Sequence, residues 1–197
     1  MQLKNITLYL TVLLTSCASF VYGQNIEFKR NSLKTGIAFG FNEGETERGL
    51  GIIYSIGLQK SFGKKQKLRL NPNLMIGGFV PFGITDTPNQ FYRITTLGYN
   101  LHYDIMKYKA VSFVTSIGPF ASYSRGLLGT GGDGDVRNSH SIFFNSFYFG
   151  GNVSIGLRID FPKRKIAYEI RPINGMVGNN YFTLGYFLFG MDFKFKN

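Results

Sequence analysis

The 197-residue chain contains no tryptophan, a single cysteine and six prolines, and charged residues make up only 17% of it. One cysteine excludes an intrachain disulfide. Low charge combined with 25 glycines and 16% aromatic residues suits a sheet with one greasy and one crowded face. Long apolar runs are also scarce. The only one, 6–20, follows Lys4 near the N-terminus and ends at Val21, Tyr22 and Gly23, which is the pattern of an export signal cleaved after Gly23 to leave Gln24 first. No second run of the ~18 residues that a membrane helix needs follows it, so a helical membrane protein is excluded. Leu14-Thr15-Ser16-Cys17 resembles a lipobox, and the alternative is a chain acylated at Cys17.

The formal charge is +11, and removing 1–23 takes away Lys4 and no acid, leaving +10. A basic excess points to nucleic acid or to anionic lipid. An exported chain rarely meets nucleic acid, and the charge placement described below favours a membrane surface.

What the chain does have is alternation. From Tyr181 to Phe195 most odd positions are large and apolar (Tyr181, Phe187, Phe189, Met191, Phe193, Phe195), while the even ones drift from Phe182, Leu184 and Tyr186 to Gly190, Asp192 and Lys194. A period of two marks a strand with unlike faces, and this one is too long for the edge of a small soluble sheet. Seven further alternating segments precede it: 33–42, 50–62, 67–80, 92–106, 110–123, 145–161 and 165–172. Connections at one end are short (63–66, 107–109, 162–164), and those at the other are mostly longer (43–49, 81–91, 124–144, 173–180). The pattern predicts an all-β fold: an eight-stranded antiparallel up-and-down transmembrane β-barrel over 33–197, preceded by a polar lead over 24–32 and a cleaved signal peptide over 1–23. Pro72 and Pro119 fall inside strands, where bulges or displaced strand ends are expected.

The apolar face should point outward. An eight-stranded barrel is only just wide enough for side chains, so it cannot enclose roughly five large apolar groups per strand. The opposite face, rich in Gly, Ser and Asn, is poorer in charge than the about 25–35% of a soluble surface. Two aromatic girdles are then expected. Phe41, Tyr123, Phe147 and Tyr181 would form one, and Phe62, Tyr103, Phe161, Phe193 and Phe195 the other.

The export signal ending near Gly23-Gln24, the eight strands and the aromatic last strand together resemble the small outer-membrane β-barrel domain proteins, including the PorT-like ones. That resemblance implies residence in the cell outer membrane and insertion by the barrel-assembly machinery, and it allows a secretion-accessory role. Members often end in an aromatic residue; here Phe195 is followed by Lys196 and Asn197, a departure from that pattern.

Candidate chemistry is sparse. His140 lies between Ser139 and Ser141 in the longest loop, and a lipid A deacylase would need such a His to activate a Ser, but Asp133 and Asp135 are poorly placed to orient it. The run 129–135 from Gly129 lacks the Lys-Ser/Thr pair of a phosphate loop and the ligand count of a calcium loop. Arg69, Asp104, Arg158, Asp160, Glu169, Arg171, Asp192 and Lys194 share the inward face, mostly nearer the short turns. They predict a salt-bridge plug, with a selective pore or proton path as the alternative. His102 and Asp104, two apart on that face, suggest a structural hydrogen bond. Lys64, Lys65, Lys67, Lys107, Lys109, Lys163, Arg164 and Lys165 cluster at the short-turn end, where anionic headgroups or an acidic periplasmic partner would be attracted.

The expected protein is therefore a closed, side-chain-filled barrel acting as a structural or interaction module. Its partners would be outer-membrane lipids and a periplasmic or cell-surface protein, with no nucleic acid, as a monomer. No catalytic, cofactor or metal site is assigned. The alternative is a lipid-modifying enzyme built on His140.

Overall fold

The computed structural model describes residues 31–63, 66–82, 90–129, 141–161 and 164–195. The expected signal with Cys17, the lead up to residue 30, Lys64, Lys65, Lys163, Asp133, Asp135, Ser139 and His140 lie outside the described residues.

Eight strands follow one another: β1 (Asn31–Glu43), β2 (Arg48–Phe62), β3 (Leu68–Pro81), β4 (Phe91–Tyr108), β5 (Val111–Gly129), β6 (Ser141–Ile159), β7 (Ile166–Gly178) and β8 (Thr183–Lys194). Each pairs antiparallel with its neighbour in sequence, and β1 pairs with β8 to close the barrel. Closure through backbone hydrogen bonds satisfies every strand edge around the wall, the condition for a sheet to sit in hydrocarbon. Alternation sets the faces: Ile37, Ile52, Leu97 and Ile117 point outward at 62–64% exposure, while Ala38, Ile53 and Ser116, one position away, are buried. So continuous an apolar exterior is not a surface made for water.

Outward aromatics gather at both ends of the wall. Phe41, Phe91, Tyr123 and Phe147 are exposed toward the long loops, and Tyr103, Tyr108, Phe161, Phe193 and Phe195 toward the short turns. Tyr181 does not belong with them. It stands in the β7–β8 turn at φ 58°, next to Asn180 at φ 52°, and is 88% exposed. Two successive left-handed residues match the twist of a tight hairpin, and Phe182 N–H donating to Asn179 O closes it.

The seventh strand also differs from expectation. It runs on to Gly178 instead of stopping near Pro172, so the expected loop over 173–180 shrinks to a turn. Between Arg171 and Asn174 the register against β8 shifts by one residue. An extra residue swaps the faces: Ala167, Glu169 and Arg171 are buried before the bulge, Asn174 and Met176 after it. Pro172 thus carries a bulge, whereas Pro72 and Pro119 do not. Their ladders lapse for two pairs and resume in the same register. Beside Pro72, the Asn71 amide donates to Leu58 O at 2.8 Å, supplying the carbonyl opposite the proline with the N–H that proline lacks.

β5 and β6 are the longest strands, at 19 residues each, and stay paired out to Gly129 and Ser141. Pairing of β6 with β7 begins only at Gly150, so this hairpin projects beyond its neighbour at the long-loop end.

Candidate functional site

The inward face divides into two halves with different chemistry. Toward the short turns it is ionic. Lys34 Nζ donates to Glu169 Oε2 at 2.6 Å, and Arg171 donates through Nε to Glu169 Oε1 at 2.5 Å and through Nη2 to the same oxygen. Arg158 Nη2 meets Asp192 Oδ2 at 2.6 Å and Asp160 Oδ2 at 3.4 Å, and its Nη1 stands 3.9 Å from Glu169 Oε2. Arg69 holds Asp104 at 2.7 Å, and Lys194 holds Asp160. Gln59 Nε2 donates to Asp192 Oδ2 at 2.7 Å. With Arg171 Nη1 donating to Ser116 Oγ and Ser154 Oγ, the network reaches side chains on all eight strands.

Every sequence-predicted charge on the inward face is found in this network. One assignment changes. His102 does not bond to Asp104: its Nδ1 accepts from Arg171 Nη2 at 2.5 Å, and Asp104 is held by Arg69. With Nδ1 accepting, the other ring nitrogen carries the proton, and His102 Nε2 is buried among groups that offer it no acceptor. Lys34, central to the network, was missed by sequence reasoning although it shares the parity of inward Gly36 and Gly40.

A belt of amides and hydroxyls lies next to this network. Asn152 donates to Asn100 at 2.7 Å, Asn100 donates to Asn73 at 3.2 Å, and Thr96 and Ser122 share a 2.8 Å hydrogen bond. Beyond them the interior is apolar. Ala38, Ile53, Met75, Phe79, Ile94, Phe120, Met176, Phe182, Leu184 and Leu188 fill it, drawn from seven strands and the β7–β8 turn, and Tyr148 adds the eighth strand. Its rings stack, Phe79 on Tyr92 at 5.3 Å and Tyr148 on Phe182 at 4.5 Å. Both tyrosines turn their hydroxyls to the long-loop rim, Tyr92 donating to Asn42 Oδ1 at 2.8 Å and Tyr148 to Glu47 Oε2 at 2.9 Å. Glu47, in the turn between β1 and β2, is almost fully buried and closes that end. Sequence alternation could not find it, because it lies outside any strand.

At the short-turn end the ionic half opens into a shallow polar recess with room for about one water molecule, lined by Gln59, Arg69, Asp104, Arg158, Asp192 and Lys194 among others. Around its mouth Lys107, Lys109, Arg164 and Lys165 are exposed. Among the described residues no cluster of three or more His, Cys, Asp or Glu could hold a metal ion. His140 and its neighbouring serine and aspartates lie outside the described residues, and Ser141 opens β6, exposed.

This architecture, a closed eight-stranded antiparallel barrel with an apolar exterior and a packed interior, is that of the small outer-membrane barrels. Among solved structures, Neisserial surface protein A superposes with a TM-score of 0.57 at 14% identity, covering 84% of this chain and 97% of that one. Ail, the attachment invasion locus protein of Yersinia pestis, matches with a TM-score of 0.53 at 10% identity over 85% of this chain and 99% of that one. Ail has also been solved in complex with the heparin analogue sucrose octasulfate; that structure matches at 0.54 and 9% identity, over 84% and 98% of the two chains. No protein-family model matches the sequence, and no curated protein does. At these identities the likeness concerns the fold.

Proposed function

We propose that this chain resides in the bacterial outer membrane as a non-conducting, monomeric barrel that works as a structural or interaction module and not as an enzyme. The observation that carries the proposal is the pairing of an apolar, girdled exterior with an interior that is ionic at one end and apolar at the other, tied across all eight strands. Among the described residues the interior is filled by its own side chains, and this filling supplies rigidity. Interaction then falls to the two rims. Toward the long loops the projecting β5–β6 hairpin stands clear of the wall. Toward the short turns a rim of single-sign charge would attract anionic headgroups or an acidic periplasmic protein. A secretion or assembly accessory role of the PorT kind is the specific form of this reading.

Labelling tests it. Cysteine introduced at Glu45, exposed in the β1–β2 turn on the long-loop side, should react with an impermeant maleimide added to intact cells, and cysteine at Lys109 should react only after the envelope is permeabilised. Reaction at Lys109 alone in intact cells would invert the topology.

A further inference from the structure

The outward face carries one feature that a barrel wall does not need. In the register of the sheet, Gly78 of β3, Arg93 of β4, Arg125 of β5 and Asn145 of β6 form one row. Arg93 and Arg125 are direct cross-strand partners, both exposed and both outward. Opposed side chains on adjacent strands stand about 4.5–5.5 Å apart at Cβ, and like charges so placed repel. Neither arginine has an acidic partner among the described residues. Arg48 on the same rim is different, with Glu43 Oε1 at 3.9 Å and the Phe82 ring at 5.8 Å. Two guanidiniums facing each other without a counter-charge are a forked donor set that lacks its acceptor.

The neighbouring rows say what kind of acceptor fits. On the membrane side lie Ile76, Thr95, Tyr123 and Phe147, paired in register across the same four strands. On the loop side lie Phe91, Leu127 and Phe143, all exposed. The cations therefore sit between two apolar bands, at the level of the aromatic girdle. A purely hydrophilic polyanion would have to desolvate both bands, whereas an amphiphile with a phosphate at the headgroup level satisfies all three rows together. Gly78, next in the row, is covered by the Phe91 ring, which would lie 2.9 Å from any Cβ placed there, so an aromatic face borders Arg93 on that strand.

We propose that Arg93 and Arg125 form a clamp for the phosphate of a phosphorylated glycolipid of the lipid A type in the leaflet at the long-loop end, with Asn145 flanking it. The clamp rests on the membrane-spanning reading above and adds to it a specific lipid contact.

The test uses the full mature chain folded in detergent micelles and native mass spectrometry with three probes: bisphosphorylated lipid A, the same lipid with its phosphates removed, and inorganic phosphate. Wild-type protein should bind the bisphosphorylated lipid about tenfold more tightly than the phosphate-free one, a gap that should close in Arg93→Gln/Arg125→Gln and persist in part in Arg93→Lys/Arg125→Lys. The melting temperature adds an independent readout. Without lipid the Gln double variant should be no less stable than wild type, because a repulsive pair has gone; with lipid A only the wild type should gain. Equal affinity of folded wild type and Gln variant for the bisphosphorylated lipid would overturn the clamp alone, and equal retention of inorganic phosphate would overturn its lipid specificity. A wild-type chain that never gives a folded, heat-modifiable gel band would overturn the membrane-spanning reading and the clamp with it.

Discussion

Two halves of one cylinder are filled in opposite ways. Near the short turns the inward positions hold Lys34, Arg69, Arg158 and Arg171 against Asp104, Glu169 and Asp192; near the long loops they hold Phe79, Ile94, Phe120, Met176 and Leu184. Dispersion and apolar burial are non-directional, so the second half tolerates any side chain of similar volume. Ionic filling is different. Each charge there has been removed from water and is stable only opposite its partner, so a change of one atom type matters more than a change of shape. The ionic half therefore fixes strand register, and the apolar half fills space.

Isosteric substitutions in the two halves should break this contrast most sharply. Glu169→Gln keeps the shape but leaves Lys34 and Arg171 without their shared carboxylate, which should cost about 3–5 kcal/mol in urea titrations of the folded band in micelles. Tyr148→Phe comes next. It removes the hydroxyl that donates to buried Glu47 and should cost about 1–3 kcal/mol, with the largest effect on protease resistance of the β1–β2 turn. Met176→Leu, a volume-conserving change in the apolar half, should cost under about 1.5 kcal/mol by the same titration. Leu157→Val faces outward next to Arg158 in sequence, and should stay within about 0.5 kcal/mol of wild type. If Met176→Leu proved as damaging as Glu169→Gln, the two halves would not differ as argued.

Much of this contrast is legible in the primary structure. A period of two assigns each strand residue to a face, so the inward charges, the apolar inward set of β8 and both aromatic ends can be read before any coordinates. Partners cannot, because alternation carries no information on register: Arg158 could equally have faced Asp104, yet the register sets it opposite Glu169, from where its guanidinium reaches past β7 to Asp192. Lys34 escaped notice although it shares the inward parity of Gly36 and Gly40, because a lone lysine near the start of a strand reads as a solvated end and its partner Glu169 lies 135 residues away in the sequence. The end of β7 escaped because the bulge at Pro172 reverses parity, so two correctly alternating halves read as a strand and a loop. Pro72 misled in the other direction. A bulge is one remedy for a missing N–H, and a side-chain amide from Asn71 is another that sequence spacing does not reveal.

The central claim is that these two fillings together form a plug, so the most direct test is current. In planar bilayers the wild-type barrel should show no steady conductance, since the ionic half is closed by its own pairs and the apolar half offers water no path. A steady, ion-selective conductance that is lost or reversed in selectivity in Glu169→Gln would mean that the interior charges line a pore, and would contradict the account.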